Sequence, residues 1–258
     1  MNNVLLTLSY DGTDFCGWQR QDKADNGKPV RTVQGTVEDA LEKMLKQKIA
    51  LCGSGRTDSG VHARAQAANF FSPFSSIKEE NFVRALNGFL PRDVRVMGAK
   101  FVADSFSARF SATSRVYRYF IKTGGVPFAR DSRYVWHINR KPNLGVLNDL
   151  SSILHGELDF KTFTSSGDQS VSTNRYIEKA HFWYEDEILV FEIEANAFLW
   201  KMVRSLTGTL LSLEGANKTK LDFENILKSK NRSNAGTTAP PTGLFLWEVK
   251  FDGTRRHV

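Results

Sequence analysis

A glycine-rich segment, residues 53–63, places one carboxylate among residues that free the backbone. It reads Gly-Ser-Gly-Arg-Thr-Asp-Ser-Gly-Val-His-Ala, and three glycines surround Asp58. Glycine accepts positive φ and lets a ligand approach the main chain closely. A carboxylate held in such a bend is a candidate functional group. The alternative is a structural turn that Asp58 caps, and the residues alone favour neither interpretation.

The segment does not match the common phosphate-binding loops. A Walker A loop requires Lys-Ser or Lys-Thr after its last glycine, and none follows Gly60. The glycine spacing of the dinucleotide-binding fingerprint is also missing. The residues therefore do not predict the nucleotide chemistry of either loop.

Other catalytic patterns are absent or stay open. The five histidines form no HxxxH or HExxH pair, and the carboxylates lack EF-hand spacing, so we expect no metal. There is no Gly-x-Ser-x-Gly nucleophile elbow. A glycosidase-like pair of carboxylates stays open, because Asp58 has several candidate partners, Asp159 among them.

The elements that must position Asp58 mix strands with helices. Residues 33, 37, 41 and 45 are apolar at a spacing of four, which is typical of a helix, and residues 21–31 predict a loop. Strands are predicted over residues 4–10, from the glycine segment through 70, and over 94–101, 115–122, 177–184, 188–195 and 244–251. Helices are predicted over residues 32–48, 79–89, 144–154, 198–213 and 222–230.

This order lacks the strict βαβ repetition of a Rossmann sheet and predicts an α+β fold. It also predicts two similar halves, residues 1–105 and 106–258, with the boundary near residues 104–110. The first half carries the Asp58 segment. No sequence repeat marks the division, which rests on element order alone.

The composition is that of a globular protein with a basic bias. Of 258 residues, 41% are hydrophobic and 24% charged, which excludes wholesale disorder. The net charge of +7 favours a polyanionic partner. No apolar run is long enough to span a membrane, and the N-terminus lacks a signal-peptide pattern. With only two cysteines, Cys16 and Cys52, we expect reduced thiols in a cytoplasmic protein.

Residues 109–141 concentrate the basic charge, with eight cations and one acid. The cations are Arg109, Arg115, Arg118, Lys122, Arg130, Arg133, Arg140 and Lys141. Aromatic residues lie between them. Cations attract phosphates and aromatic faces stack on bases, so this stretch, here called the basic stretch, predicts nucleic-acid binding. The alternative is an amphipathic strand with a solvated basic face.

Short motifs follow one another in a fixed order over nearly the whole chain. They are Tyr10-Asp11-Gly12-Thr13 with Phe15, Gly17-Trp18-Gln19-Arg20-Gln21, Thr32-Val33-Gln34-Gly35, Gly55-Arg56-Thr57-Asp58, Gly60-Val61-His62-Ala63, Phe110-Ser111-Ala112, Arg115-Val116-Tyr117-Arg118-Tyr119, Ala195-Asn196-Ala197-Phe198-Leu199, Met202-Val203-Arg204, Thr238-Ala239-Pro240 and Gly243-Leu244. Together they resemble the TruA-type tRNA pseudouridine synthases. The chain departs from the usual residues at Ser54, Ser59, Ser107, Ser205 and Pro241.

The resemblance implies isomerisation of uridine to pseudouridine at positions 38, 39 and 40 of the tRNA anticodon stem-loop. The C1′–N1 bond breaks, the uracil turns while bound, and C1′ joins C5, so no cofactor is needed. Asp58 is then the essential carboxylate. It either attacks C1′ or removes the 2′ proton to give a glycal, and both routes stay open.

The resemblance also implies roles for other residues. Arg204 would favour the ionised form of Asp58, and Tyr117 would stack on uracil and help to remove the C5 proton. Substrate-binding roles fall to Arg56, Leu244, Arg109, Arg115 and Arg118, in addition to Tyr117. The implied assembly is a homodimer that binds one tRNA with both subunits. The implied fold joins mixed, mainly antiparallel sheets into one central sheet, with helices on one side and a catalytic cleft between the halves.

Three other functions compete with this interpretation. An RNA-binding module without catalysis would explain the basic stretch but would give Asp58 and Arg204 no purpose. A glycoside or nucleoside hydrolase would use Asp58 with a second acid and release free uracil. A purely structural protein is the third alternative.

Overall fold

The computed structural model describes residues 1–22 and 30–256, which form ten strands and five α-helices. The strands are β1 (Asn2–Tyr10), β2 (Cys52–Gly53), β3 (His62–Ser72), β4 (Val94–Val102), β5 (Ser114–Thr123), β6 (Trp136–Ile138), β7 (Gly156–Asp159), β8 (Asn174–Glu185), β9 (Ile188–Ala195) and β10 (Leu244–Lys250). The helices are α1 (Val33–Leu45), α2 (Glu79–Phe89), α3 (Leu144–Ser151), α4 (Met202–Gly215) and α5 (Lys220–Lys228). Most of the loop predicted over 21–31 lies outside the described residues. No helix within the described ranges is long and apolar enough to cross a membrane.

The chain divides into two compact units. The first comprises Met1–Ala112 and Phe245–Asp252, and the second comprises Thr113–Leu244 with the described residues from Gly253 onward. This division differs from the predicted boundary between residues 105 and 106. The first unit includes most of β10 because that strand pairs in parallel with β3, with Phe245 opposite His62.

The sheet of the first unit brings two loops to one end. Strand β1 lies between β4 and β3 and is antiparallel to both, and β3 also pairs with β2. The last residue of β1, Tyr10, lies opposite Ala63 near the start of β3. The residues that follow β1 and those that precede β3 therefore leave the sheet at the same end.

Two helices complete the core of the first unit. Helix α1 begins after Thr32, whose hydroxyl accepts a hydrogen bond from Gly35 N at 3.3 Å, an ordinary N-cap. Phe82 of α2 packs edge-on against Phe70 of β3 with ring centroids 5.7 Å apart. The fully buried residues include Val4, Leu6, Leu8, Val33, Val37, Leu41, Phe82 and Leu86. Phe89, the last residue of α2, is 47% exposed.

The sheet of the second unit has the order β6, β5, β9, β8, β7. Strands β5 and β6 are parallel and the other neighbours are antiparallel. Mixed, mainly antiparallel strands together with helices confirm the α+β class. The sequence missed β2, β6 and β7, because strands of two to four residues are too short to show a period.

Helix α4 starts four residues later than its apolar pattern predicts. Lys201, just before the helix, has φ of 62°, in the left-handed region. The N–H of Trp200 donates to the carboxylate of Asp168 and not to a helical carbonyl. These two features keep residues 198–201 out of the helix. At α5, the side chains of Thr219 and Asp222 form a capping box that starts the helix at Lys220, two residues before the predicted start.

A close approach on α4 requires glycine. A Cβ added to Gly208 would lie 1.9 Å from the carbonyl oxygen of Thr237, far inside van der Waals contact. Residues 236–240 can therefore lie against α4 only because position 208 has no side chain.

Replacing this glycine tests the packing against helix propensity. Alanine favours a helix over glycine by up to about 1 kcal/mol, so propensity predicts that Gly208→Ala and Gly88→Ala both stabilise the protein. The exposed Gly88 of α2 has no atom within 4 Å of an added Cβ, and we expect its substitution to stabilise. We expect Gly208→Ala to lower the free energy of unfolding by about 1–3 kcal/mol or more, because it overpacks the contact with Thr237. Urea denaturation of both variants measures the difference, and equal shifts of the same sign would contradict the close approach.

Candidate active site

Asp58 lies in an irregular loop, residues 54–61, between β2 and β3 of the first unit. The side chain of Asp58 is half-buried, Thr57 is buried and Arg56 is exposed. The N–H of Val61 donates to the carbonyl of Asp58 at 3.2 Å and closes a tight turn. The loop therefore presents Asp58 at a bend, as the glycines predicted.

Main-chain hydrogen bonds fix this loop on both sides of Asp58. Trp18 N donates to the carbonyl of Thr57 at 3.1 Å, and Gly60 N donates to the carbonyl of Phe15 at 3.3 Å. Residues 15–18, which belong to the motif after β1, thus bind the loop before and after the carboxylate. Such anchoring restricts the positions that the carboxylate can reach.

Gly17 allows these two segments to meet. Its φ is +89°, and an added Cβ would lie 2.7 Å from the carbonyl oxygen of Thr57 and 3.2 Å from the carbonyl carbon of Asp58. Both the left-handed backbone and the lack of space require glycine. The Gly17-Trp18 motif therefore positions the loop.

Two buried polar side chains, Tyr10 and Gln66, hydrogen-bond to the loop. The hydroxyl of Tyr10 hydrogen-bonds Thr57 Oγ1 at 2.8 Å, and burial raises the pKa of Tyr10, so it stays neutral. Gln66 of β3 accepts from Ser54 Oγ at 2.7 Å and donates to the carbonyl of Gly55 at 3.0 Å. Sequence analysis missed Gln66, because nothing in a strand pattern distinguishes one buried amide.

Ser54 and Ser59, two of the departures from the usual residues, both hydrogen-bond to residues that hold the Asp58 loop. Ser54 donates to Gln66, and Ser59 Oγ donates to the carbonyl of Phe15 at 3.1 Å. Both departures therefore add a hydrogen bond to the loop around Asp58. Ser107, the third departure, lies 3.8 Å from Cys52 through Oγ and Sγ.

His62, the residue that follows the loop, is held by contacts within the protein. It is buried, its Nδ1 accepts from Gly12 N at 3.0 Å, and its ring stacks on Phe245 at 4.6 Å. These contacts join the start of β3 to the turn after β1.

Tyr117 lies in β5 of the second unit, opposite Ile193 of β9. It is half-buried, and the ring of Phe198 packs edge-on against it at 5.0 Å and 84°. This T-shaped contact fixes the orientation of the Tyr117 ring. Phe198 belongs to a motif noted in the sequence, but its contact with Tyr117 could not be read from the spacing.

Arg204, the third residue of α4, is tied to residues 238–240. Its Nε donates to the carbonyl of Ala239 at 2.8 Å, and Ala239 N donates back to the carbonyl of Arg204 at 3.1 Å.

The hydroxyl of Tyr119 donates to the carbonyl of Pro240. Burial raises the pKa of Tyr119 and the charge of Arg204 opposes that rise. Leu244 is buried, and its N–H donates to the carbonyl of Pro241 at 3.0 Å.

The predicted RNA-contact arginines differ in their surroundings. Arg109 is exposed in the first unit, with its guanidinium carbon 5.4 Å from the ring centroid of Phe110. In the second unit, Arg115 donates to the carbonyl of Asn196 at 2.7 Å. Arg118 pairs with Glu192 at 2.7 Å and lies over the ring of Trp183.

Acids from distant parts of the chain neutralise much of the basic stretch. Glu192 pairs with Arg118, Glu187 with Lys122, and Glu214 with Arg140. Burial opposes ionisation of Glu192, but hydrogen bonds from Lys179 and Arg118 keep its pKa below the usual range. The local charge count in the sequence therefore overstated the positive surface, while Arg109, Arg130 and Arg133 stay exposed.

Asp159, the second acid considered for a hydrolase, is held as a carboxylate. Burial acts to raise its pKa, but Lys230 at 2.8 Å and hydrogen bonds from Thr173 and the N–H of Lys161 lower it overall. A glycosidase acid needs a raised pKa, so Asp159 does not fit that role. No group of three or more potential metal-ligating side chains occurs among residues 1–22 and 30–256.

The predicted site residues thus fall into two sets. Asp58, Arg56 and Arg109 belong to the first unit. The second unit contains Tyr117, Arg204, Leu244, Arg115 and Arg118.

Comparison with known proteins decides the family. The family model described as tRNA pseudouridine synthase matches residues 7–111 and 151–252, which include Asp58 and Arg204. The chain belongs to the tRNA pseudouridine synthase family. It is therefore an enzyme, an isomerase whose substrate is tRNA, and the resemblance noted in its motifs is confirmed.

Curated relatives of this tRNA pseudouridine synthase cover nearly its whole length. Each is named tRNA pseudouridine synthase A. The relative from Treponema denticola is 55% identical over 96% of this chain and 92% of its own. The relative from Treponema pallidum (strain Nichols) is 46% identical over 92% and 84%, and that from Borrelia hermsii is 38% identical over 98% and 100%. A solved Cbf5-Nop10-Gar1 complex matches at 11% identity and a TM-score of 0.34, over 81% of this chain and 44% of that one. That likeness is too weak to support an argument.

Gly17→Ala tests whether residues 15–18 position the Asp58 loop of this tRNA pseudouridine synthase. The added methyl strains a left-handed residue and overlaps the carbonyl of Thr57, so we expect a loss of about 1–3 kcal/mol in unfolding free energy. We also expect kcat/KM for tRNA to fall on the order of 10²-fold, because small displacements of a reacting group have large effects.

Gly55→Ala is the matched control in the same loop. An added Cβ there meets nothing within 4 Å, so we expect the unfolding free energy to change by less than about 0.5 kcal/mol. Chemical denaturation and steady-state kinetics check both variants. Wild-type stability and kcat/KM in Gly17→Ala would show that the junction does not position the loop.

Proposed function

We propose that the chain converts uridine to pseudouridine at positions 38, 39 and 40 of the tRNA anticodon stem-loop, with Asp58 as the essential carboxylate. The observation that carries this proposal is the fixed bend at Asp58. Residues 15–18 bind the loop on both sides of it, and the carboxylate is half-buried. A purely structural cap would not need this second set of bonds from a remote motif.

The proposed reaction conserves every atom of the substrate. Ionised Asp58 either attacks C1′ or takes the 2′ proton, and the C1′–N1 bond breaks with its electrons going to uracil. The uracil turns and C5 bonds to C1′. In the first route the Asp58–C1′ bond breaks as this bond forms, and in the second Asp58 returns its proton to C2′, so both routes regenerate the carboxylate. The C5 proton is then lost while N1 gains a proton. The sum is an isomerisation that uses no oxidant, reductant or leaving group.

Tyr117 and Arg204 have proposed roles on the second unit. The edge-on contact with Phe198 supports a Tyr117 ring that is already oriented to stack on uracil, with its hydroxyl placed to help remove the C5 proton. The bond to Ala239 supports a pre-positioned Arg204 guanidinium, the cation that the ionised carboxylate requires. Leu244, buried at the start of β10, is the proposed apolar wall for the base.

The arginines would hold the RNA while the target base leaves the stack. Unstacking costs on the order of a few kcal/mol, which phosphate contacts and stacking offset. Arg56, exposed two residues before Asp58, is proposed to fill the vacated space or to hold a phosphate, and Arg109 to hold another. Arg115 and Arg118 are proposed contacts of lesser weight, because both already bond within the protein.

Four further proposals rest on the resemblance and the sequence. They are a homodimer that binds one tRNA with both subunits, a cytoplasmic location, and catalysis without a metal and without a cofactor.

Asp58→Asn is the variant that tests the chemistry. An amide cannot attack C1′ or take a proton, so we expect turnover to fall on the order of 10³-fold or more, while affinity for tRNA stays near that of the wild type. Tritium release from 5-labelled uridine in tRNA measures turnover, and filter binding measures affinity. Asp159→Asn is the control and should retain turnover. If Asp58→Asn turns over normally, the proposed role of Asp58 is wrong.

Product mapping tests the positions and excludes hydrolysis. We expect pseudouridine at positions 38, 39 and 40 of transcripts treated with the wild-type enzyme and no free uracil in the medium. Sequencing after carbodiimide modification locates the pseudouridines, and chromatography detects the base. Modification confined to other positions would refute the proposed site, and stoichiometric uracil would favour a hydrolase.

A further inference from the structure

Trp200 is an exposed tryptophan on a fixed backbone. Its side chain is 45% exposed, although tryptophan is usually well buried. It lies in the irregular turn between β9 and α4, before the left-handed Lys201. The family resemblance assigned it no role, and the helix predicted over residues 198–213 hid its position.

Asp168 clamps the backbone of Trp200. The carboxylate accepts the N–H of Trp200, the hydroxyl of Thr164 at 3.1 Å and the N–H of Ser170 at 2.7 Å. Ser165 N donates to the carbonyl of Trp200 at 3.1 Å, so both polar groups of the Trp200 main chain are bound. Burial would raise the pKa of Asp168, but these hydrogen bonds lower it, so the clamp is charged at neutral pH.

The surroundings of the ring suit a nucleotide. Lys201 Nζ lies over the Trp200 ring, 4.7 Å from the ring centroid, so one face of the indole carries a cation and the opposite face is the one on which a base would stack. A Cβ built on Gly167 would lie 3.5 Å from the Trp200 ring, so a residue without a side chain borders the indole. A base can stack on the indole while the ammonium group holds its phosphate.

Trp200 is also close in sequence to the groups that act on uracil. Phe198, two residues earlier, packs against Tyr117, and Arg204 follows four residues later. One short turn therefore connects the proposed uracil site to the exposed indole.

We propose that Trp200 and Lys201 form a second nucleotide subsite, in which the indole stacks on a base of the tRNA that flanks the target uridine and Lys201 binds its phosphate. The inference rests on the proposed function, because it assumes that Tyr117 holds the uracil. The subsite would hold the flanking strand in place after the target base has left the stack. A rigid aromatic platform suits this task, since little conformational entropy is lost on binding.

The test compares tRNA binding and kinetics of three variants with the wild type. We expect Trp200→Ala to raise Kd and KM for tRNA on the order of 10-fold to 100-fold, with kcat at saturation changed little. Trp200→Phe keeps an aromatic face and should recover most of the affinity. Lys201→Asn suits the left-handed backbone, and we expect it to reduce the salt dependence of binding by about one phosphate contact.

Phe89→Ala is the matched control, because Phe89 is exposed to a similar extent, 47%, on α2 of the first unit. It should leave Kd and KM unchanged. Tryptophan fluorescence adds a measurement that does not depend on the folding of Trp200→Ala. We expect tRNA to quench the wild type more strongly than Trp200→Phe.

Two results would overturn the subsite. One is wild-type Kd and KM in Trp200→Ala. The other is dissociation of a wild-type dimer in the Trp200→Ala variant, seen by light scattering, with tRNA affinity lost in proportion to the dissociation. That result would assign Trp200 to contact with a second copy. Binding measured in the Asp58→Asn background separates this inference from the chemistry, since the Trp200 effect on Kd should persist there without turnover.

Discussion

The position of Asp58 in the first unit depends on the hydrogen bonds between residues 15–18 and the loop that carries it. A loop of irregular backbone has no ladder to satisfy its polar groups or to restrict its motion. Trp18 and Phe15 supply main-chain partners on both sides of Asp58. Because both segments leave the sheet at the same end, the register of β1 against β3 determines where the carboxylate is held.

In the second unit, other contacts hold the proposed site residues in place. Arg204 is fixed by two hydrogen bonds with Ala239, and the segment that carries Ala239 can reach α4 because position 208 is glycine. Asp168 holds the turn before α4, and Phe198 in that turn orients Tyr117. In both units, a motif distant in sequence holds a proposed site residue that lies on or beside irregular backbone. In the proposed function, motif residues such as Trp18, Phe198 and Ala239 therefore position the reacting side chains.

The dependence of these positions on contacts between distant segments explains which features the sequence could predict. The long periodic elements, such as α1, α2 and β9, were predicted within a few residues, because burial of one face leaves a regular pattern. Asp58 and Tyr117 were proposed as site residues through motifs, and their roles stay predictions. Gln66 and Asp168 were missed, and so was the late start of α4, because each depends on a contact between residues that no local pattern connects.

The charge of residues 109–141 shows most clearly that a local sequence pattern does not reveal contacts with distant residues. Eight cations over residues 109–141 predicted nucleic-acid binding by that stretch, but three of them pair with Glu187, Glu192 and Glu214, which lie outside it. An ion pair in the protein must be broken or shared before its cation can release a counterion from a phosphate, so such cations add little to RNA affinity. Arg56 and Arg109 are exposed, and in the proposed function they bind the RNA together with aromatic faces that stack on bases. A rigid, exposed tryptophan gains importance in that setting, because stacking is screened by salt far less than phosphate contacts are.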